Sequence, residues 1–334
     1  MCDAVPLKSM LKHGALVAAA NWPVVLVQFV AESTFKLLVA VPVVGGAVLV
    51  ALVLGGDLRQ LLAGDPREIL ATVADALGDR PGALAAFGGA LLVVIVGASA
   101  LMVLVKGGTV TVLACGDRRA GQIAQAPVRL AALQRAACFS VDRFVVGSAH
   151  LFGRYARLGA GLLVVYAASG GLYMAVVLGA VGWAERLGSA LGWPGLTALT
   201  SLALVAWITV VNLVYLLLQM VVACDDCSVG QAVRRVTWFV RAAGRDVAWL
   251  FGSILGLVVL AMATSVLATA GLGLISFVPL VGLAVFPLQA AAWLLRGFVF
   301  QYLGLTALGA YLARYRQASD PAVASGPRLA RTAS

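Results

Sequence analysis

At 334 residues the chain is long enough for two soluble domains, but 62% hydrophobic and only 11% charged residues, with a mean hydropathy of +1.01, exclude a water-soluble fold, in which roughly a quarter of residues carry charge. The net charge of +10 is scattered over short segments between apolar runs, which argues against a nucleic-acid partner, since that needs a compact basic domain. Five cysteines without regular spacing give no disulfide framework.

A helix crossing about 30 Å of hydrocarbon takes about 20 mainly apolar residues. Six stretches meet that length, at about 22–55, 83–114, 158–183, 195–223, 248–275 and 280–312. The expected fold is all-α: a polytopic transmembrane bundle of six spans, residues 1–316, with amphipathic interfacial helices and a disordered tail over 317–334. The N-terminal stretch, MCDAVPLKSMLKHGALVAAANWP, leads into an apolar run too long for a signal-peptide core and is expected to be retained.

In the first span, Glu32 and Lys36 stand at i,i+4 in the favourable acid-first order. The loop after it carries PREILATVADAL, a predicted short helix with Pro66 in its first turn. The second span holds Lys106. In the segment that follows, Arg143, His150, Arg154 and Arg157 share one helical face, and Phe144, Val145, Leu151, Phe152 and Tyr155 another, which predicts an amphipathic interfacial helix with Arg143, Arg154 and Arg157 as headgroup contacts. The fourth span carries Asn212, Tyr215 and Gln219 on one stripe. Next comes CDDCSVGQAVRRVTWFVRAAGRDVAW, residues 224–249. Ser228 with Gln231 fits a capping box that starts a helix. Beyond it, Val229, Val233, Val236, Val240 and Val247 form one stripe, and Arg234, Arg241 and Arg245 a second. The spacing predicts an amphipathic helix lying at the interface, its arginines facing anionic headgroups. Gly252 and Gly256 then make a G-x-x-x-G signature of close helix packing. Pro42, Pro279 and Pro287 are expected to kink or end helices. The sixth span contributes Gln289 and Arg296.

Alternate segments must lie on the same side of the membrane. The N-terminus, second loop, fourth loop and tail together hold 17 basic residues, against 4 in the opposite set. By the positive-inside rule both termini are cytoplasmic. The implied location is the inner membrane of a bacterium.

A family resemblance rests on Asp225 or Asp226, Ser228, Ala232, Arg234, Pro279 and the closing LGAYLARYR with Tyr311 and Arg314. Over residues 200–316 the chain resembles the membrane domain associated with glycerophosphodiester phosphodiesterases and related bacterial inner-membrane families of unknown function. No acidic, histidine-rich soluble segment is present to hold that enzyme's metal, so the resemblance implies a membrane fold and no catalysis.

Chemistry is sparse. Cys224 and Cys227 form C-x-x-C, but Cys115, Cys138 and His150, the other ligand types expected on that side, do not complete a finger spacing, and Cys115 and Cys138 do not themselves read as a pair. Asp225 and Asp226 between the cysteines oppose a redox thiolate. With no nucleotide loop, catalytic triad, HExxH or paired catalytic carboxylates, the expectation is no enzyme, no metal and no cofactor. Charges at membrane depth are more informative, because they normally face protein or trapped water. A rise of about 1.5 Å per residue places Glu32, Lys36, Lys106 and Asn212 roughly 12 to 20 Å from the cytoplasmic ends, with Arg296 nearer the middle. Two readings stay open: the charges pair to specify packing, or they line a cavity open to the cytoplasm or inner leaflet for an anionic headgroup or small anion, with Arg296 as the anion contact and Glu32 as its tuning partner. The leading expectation is a non-catalytic protein that binds or organises anionic lipids or membrane partners, including a second copy of itself. The alternative is a transporter or channel for a small anionic or amphipathic solute.

Overall fold

The computed structural model describes residues 7–53, 81–121, 123–125, 127–187, 192–276 and 281–319. The helix expected at Pro66, Pro279 and most of the expected tail lie outside these residues. Among the described residues there is no strand, and the helices are α1 (Leu7–Ala20), α2 (Trp22–Val53), α3 (Pro81–Ala120), α4 (Leu130–Ala136), α5 (Val141–Leu187), α6 (Gly192–Asp225), α7 (Val229–Ser276) and α8 (Val281–Ser319). Six of them, α2, α3 and α5 to α8, are long and apolar enough to cross a membrane. Only 0% to 22% of their most apolar windows is buried. That outward apolar surface suits hydrocarbon and would aggregate in water. The protein is an all-α polytopic membrane protein.

The chain forms two compact units. In the smaller, Val27–Val105, α2 runs through Pro42 without ending. A Cβ on Gly46 would stand 2.6 Å from the Phe87 ring, so the glycine admits the ring. The larger unit joins Met1–Leu26 to Lys106–Ser334. Its core lies where α1 meets the basic ends of the long helices. Buried there are Val17, Leu113, Tyr155, Met220, Phe239 and Tyr311.

Helix α1 was not foreseen from the sequence. It crosses α8 so closely that a Cβ on Gly14 would stand 2.7 Å from the Ala310 nitrogen and one on Gly309 3.0 Å from the Gly14 Cα. Tyr302 donates its hydroxyl proton to the Ala15 carbonyl at 3.0 Å. The fully buried Asn21 makes the corner into α2. Its Nδ2 donates to the carbonyls of Val17 (3.0 Å) and Ala136 (2.9 Å), and its Oδ1 accepts from the Cys138 amide at 2.8 Å. One side chain thus satisfies backbone groups from a helix end and a distant connector, as a buried amide must.

The segments expected to lie at the interface continue directly into long apolar helices. Helix α5 is unbroken from Val141. Helix α7 opens with the expected reciprocal cap: the Ser228 amide donates to Gln231 Oε1 at 3.3 Å and the Gln231 amide to Ser228 Oγ at 3.4 Å. It then kinks at Ala243 (φ −126°, ψ 23°), a position without proline. Pro287, by contrast, lies inside α8. Neither Pro42 nor Pro287 ends its helix, an arrangement that membrane helices tolerate where neighbouring groups can re-satisfy the freed carbonyl.

The valine stripe is corrected too. The buried face of α7 is Ala232, Val236, Phe239, Ala243, Val247 and Leu250, while Val233 and Val240 are 47% and 40% exposed. Phe239 turns inward because it packs on α8, where the Phe239 and Tyr315 rings meet edge to face at 5.3 Å.

Candidate functional site

The basic end of the larger unit is built around four acids, each already partnered. Asp117, 1% exposed, receives His13 Nε2 at 2.8 Å and stands 2.7 Å from Arg316 Nη1. The second contact is an ion pair outside hydrogen-bond geometry. Asp225 pairs with Arg235 and accepts the Tyr315 hydroxyl. Asp246 accepts from Arg314 Nη2 at 2.7 Å and Nε at 3.0 Å. Asp226 ends α6 in a left-handed conformation (φ 47°), which aspartate tolerates better than most residues. There it meets His150 at 2.8 Å and also Arg154. Hydrogen bonds from His150, then Arg154, hold the Asp226 carboxyl below its usual range. These bonds tie the ends of α3, α6 and α8 to α1, α5 and α7.

Once the acids are satisfied, basic groups remain on two surfaces. On the first, Arg118, Arg119 and Arg143 line a pocket of about 330 Å³ with Thr111, Ala114, Cys115 and Ala223, and no carboxylate lines it. Arg118 Nη2 donates to the Cys224 carbonyl at 3.0 Å, and Arg143 donates to the Cys138 carbonyl. On the second, Arg234, Arg241 and Arg245 are exposed on α7 and form no ion pair among the described residues. Trp238, 50% exposed, falls between them at helical spacing, giving a stripe at 234, 238, 241 and 245. Arg157 is exposed as well. Sequence reasoning found the arginines of the stripe but overlooked the tryptophan, which a helical wheel would have placed there. Arg118 and Arg119 entered the sequence reading only through the charge count and not as site residues, although the run CGDRR at the end of a span was a visible signal.

Within the smaller unit, Lys36 Nζ stands 2.6 Å from Glu32 Oε1. In the larger unit, Lys106 Nζ lies 5.3 Å from the centre of the Tyr215 ring, a cation–π contact. Asn212 Oδ1 accepts the Tyr166 hydroxyl at 2.5 Å. Arg296 stacks 5.8 Å above Phe300 and borders a groove of about 860 Å³ between α7 and α8, with Gln289, Thr264, Ser265 and many apolar side chains. Lys106 and Asn212 do not line that groove. Gly252 and Gly256 are exposed, and a Cβ on either would meet nothing within 4 Å. The close approaches within the larger unit use Gly14, Gly309, Gly107, Gly108 and Gly147 instead.

The cysteines are also redistributed. Cys115 and Cys138, read from the sequence as unrelated, bring their sulfurs to 2.6 Å. In the C-x-x-C, Cys227 is buried, which pushes its thiol up, and its sulfur lies 3.9 Å from the Val221 carbonyl. No cluster of three metal-ligating side chains occurs among the described residues.

No family model, curated protein or solved structure matches this chain.

Proposed function

We propose that the chain is a non-catalytic protein of the bacterial cytoplasmic membrane, with both termini in the cytoplasm, that binds anionic lipids through its basic end. The observation that carries this reading is the exposed stripe Arg234, Trp238, Arg241 and Arg245 on α7 around the kink at Ala243. Tryptophan favours the headgroup level and arginine the anionic surface. At about 1 kcal/mol per basic residue near such a surface, three arginines supply about 3 kcal/mol, roughly a hundredfold in affinity. Kinship with the phosphodiesterase-associated membrane domains belongs to the same proposal, supported by the buried Ala232 and the Arg314–Asp246 pair.

The test is native mass spectrometry of the delipidated full chain titrated with phosphatidylglycerol or phosphatidylcholine. Replacing Arg234, Arg241 and Arg245 together by Gln is expected to remove most phosphatidylglycerol adducts and leave phosphatidylcholine binding unchanged. Equal phosphatidylglycerol binding by the two proteins would refute the assignment.

A second reading, transport of a small anionic or amphipathic solute, is favoured by the groove that holds Arg296 and Gln289. It requires that Arg296→Leu impair uptake in proteoliposomes; unchanged uptake removes it.

A further inference from the structure

We propose that Cys115 and Cys138 form a reversible disulfide, closed by a low-molecular-weight disulfide of the glutathione class that reaches Cys115 through the arginine-lined pocket. The two thiol sulfurs stand 2.6 Å apart, whereas a covalent S–S bond is about 2.05 Å. About half an ångström of closure is needed, within the reach of side-chain rotation. The pair also differs in access. Cys115 lines the pocket with Arg118, Arg119 and Arg143, which suits a carboxylate-bearing oxidant. Cys138 is 2% exposed and its backbone is pinned on both sides, its amide by Asn21 Oδ1 and its carbonyl by Arg143. Burial pushes the Cys138 thiol up to about 11, and because Cys138 is buried while Cys115 lines the pocket, Cys138 is the resolving partner.

In the first step the Cys115 thiolate attacks one sulfur of the oxidant, forms a mixed disulfide and releases one thiolate. In the second, Cys138 gives its proton to solvent and attacks the Cys115 sulfur, and the second small thiolate leaves. Two protein thiols are oxidised to one disulfide, and one external disulfide is reduced to two thiols. Excess small thiol runs the sequence backwards. The bond would clamp the end of α3 to the connector between α4 and α5, and so fix one wall of the basic pocket.

The experiment uses the full chain in detergent micelles, treated with oxidised glutathione, alkylated after denaturation and digested with trypsin without reduction. The expected product is a cross-link between peptides 107–118 and 136–143, lighter by two hydrogens than the free pair. Cys224 and Cys227 remain alkylatable, and prior unfolding in dodecyl sulfate abolishes the selectivity. The Cys115→Ser variant should leave Cys138 fully alkylatable, and Cys138→Ser should stop at a glutathione adduct on Cys115. Wild-type chain needs no variant to fold, so its own outcome decides. The inference is overturned if both thiols stay alkylatable, if Cys115 stops at the glutathione adduct, or if Cys224 and Cys227 are the pair that closes.

Discussion

Single residues settle where the helices of this protein touch, and the decisive ones are glycines that the sequence pattern did not single out. A G-x-x-x-G signature drew attention to Gly252 and Gly256, yet both face open space. The tight crossing is made by Gly14 and Gly309, 295 positions apart in the numbering, and no local spacing could link them. Gly14→Ala would drive a methyl into the backbone of Ala310 and should cost about 1–3 kcal/mol, as overpacking does. Gly252→Ala meets nothing and should be neutral, or gain a few tenths of a kcal/mol from helix propensity. Thermal midpoints in detergent check the pair, and equal midpoints would remove the close-crossing argument. Asp226 offers a second residue-level test. Its carboxyl titrates below the ordinary 3.8 because His150 and Arg154 bond its charged form. A depressed acid stabilises the fold above the unfolded value, and this is lost as pH falls through the folded one. Asn at 226 tolerates the same left-handed backbone and lacks the charge. The stability gap between wild type and Asp226→Asn should therefore persist down to pH 3.8 and close only below it. A gap that vanished near neutrality would assign the contact to something other than the carboxylate. Little of this was legible beforehand, because His13, Asp117 and Arg316 converge from three remote segments.

Among the elements, α7 shows where pattern reading succeeds and where it stops. The Ser228–Gln231 cap was readable because both partners lie within one turn. The arginine stripe was readable from its period. Which apolar residues turn inward was not, since that depends on what α8 presents: Val233 and Val240 stay outside while Ala232 and Phe239 go in. The break at Ala243 was not read from the sequence, since alanine is the best helix former, although Gly244 beside it weakens the helix at that point. If the segment before the break lies along the membrane surface, Trp238 sits at headgroup depth, whereas Trp293, 64% exposed on α8, faces acyl chains. Trp238→Phe should then selectively remove fluorescence quenching by lipids brominated close to the headgroup. Trp293→Phe should remove quenching by lipids brominated deep in the chain. If Trp238→Phe changed only the deep quenching, the stripe would not be interfacial.

For the whole molecule, the strongest constraint remains the partition of charge. If all six helices long enough to span do cross, the two termini share one side, and the segments on that side hold 17 basic residues against 4 on the other. The six long apolar helices were legible because bilayer thickness fixes element length; the orientation rests on the cost of translocating basic loops. The packing of the basic ends adds an independent argument within the larger unit. Asp117, Asp225, Asp226 and Asp246 hold His13, Arg154, Arg235, Arg314 and Arg316 from four different helices, α1, α5, α7 and α8, a connection that would need all these ends to emerge together. If one span failed to insert, these partners would fall on opposite faces of the membrane. Cysteines introduced at Ser9, Asp65, Gly188 and Ser319 in a background without other cysteines should report this. In intact cells an impermeant maleimide is expected to label positions 65 and 188 and to spare 9 and 319 until the membrane is opened. Labelling of 9 without 319 would mean an odd number of spans. Labelling of both, with 65 and 188 protected, would keep the six-span fold but reverse the proposed orientation, placing the arginine stripe on the outer leaflet.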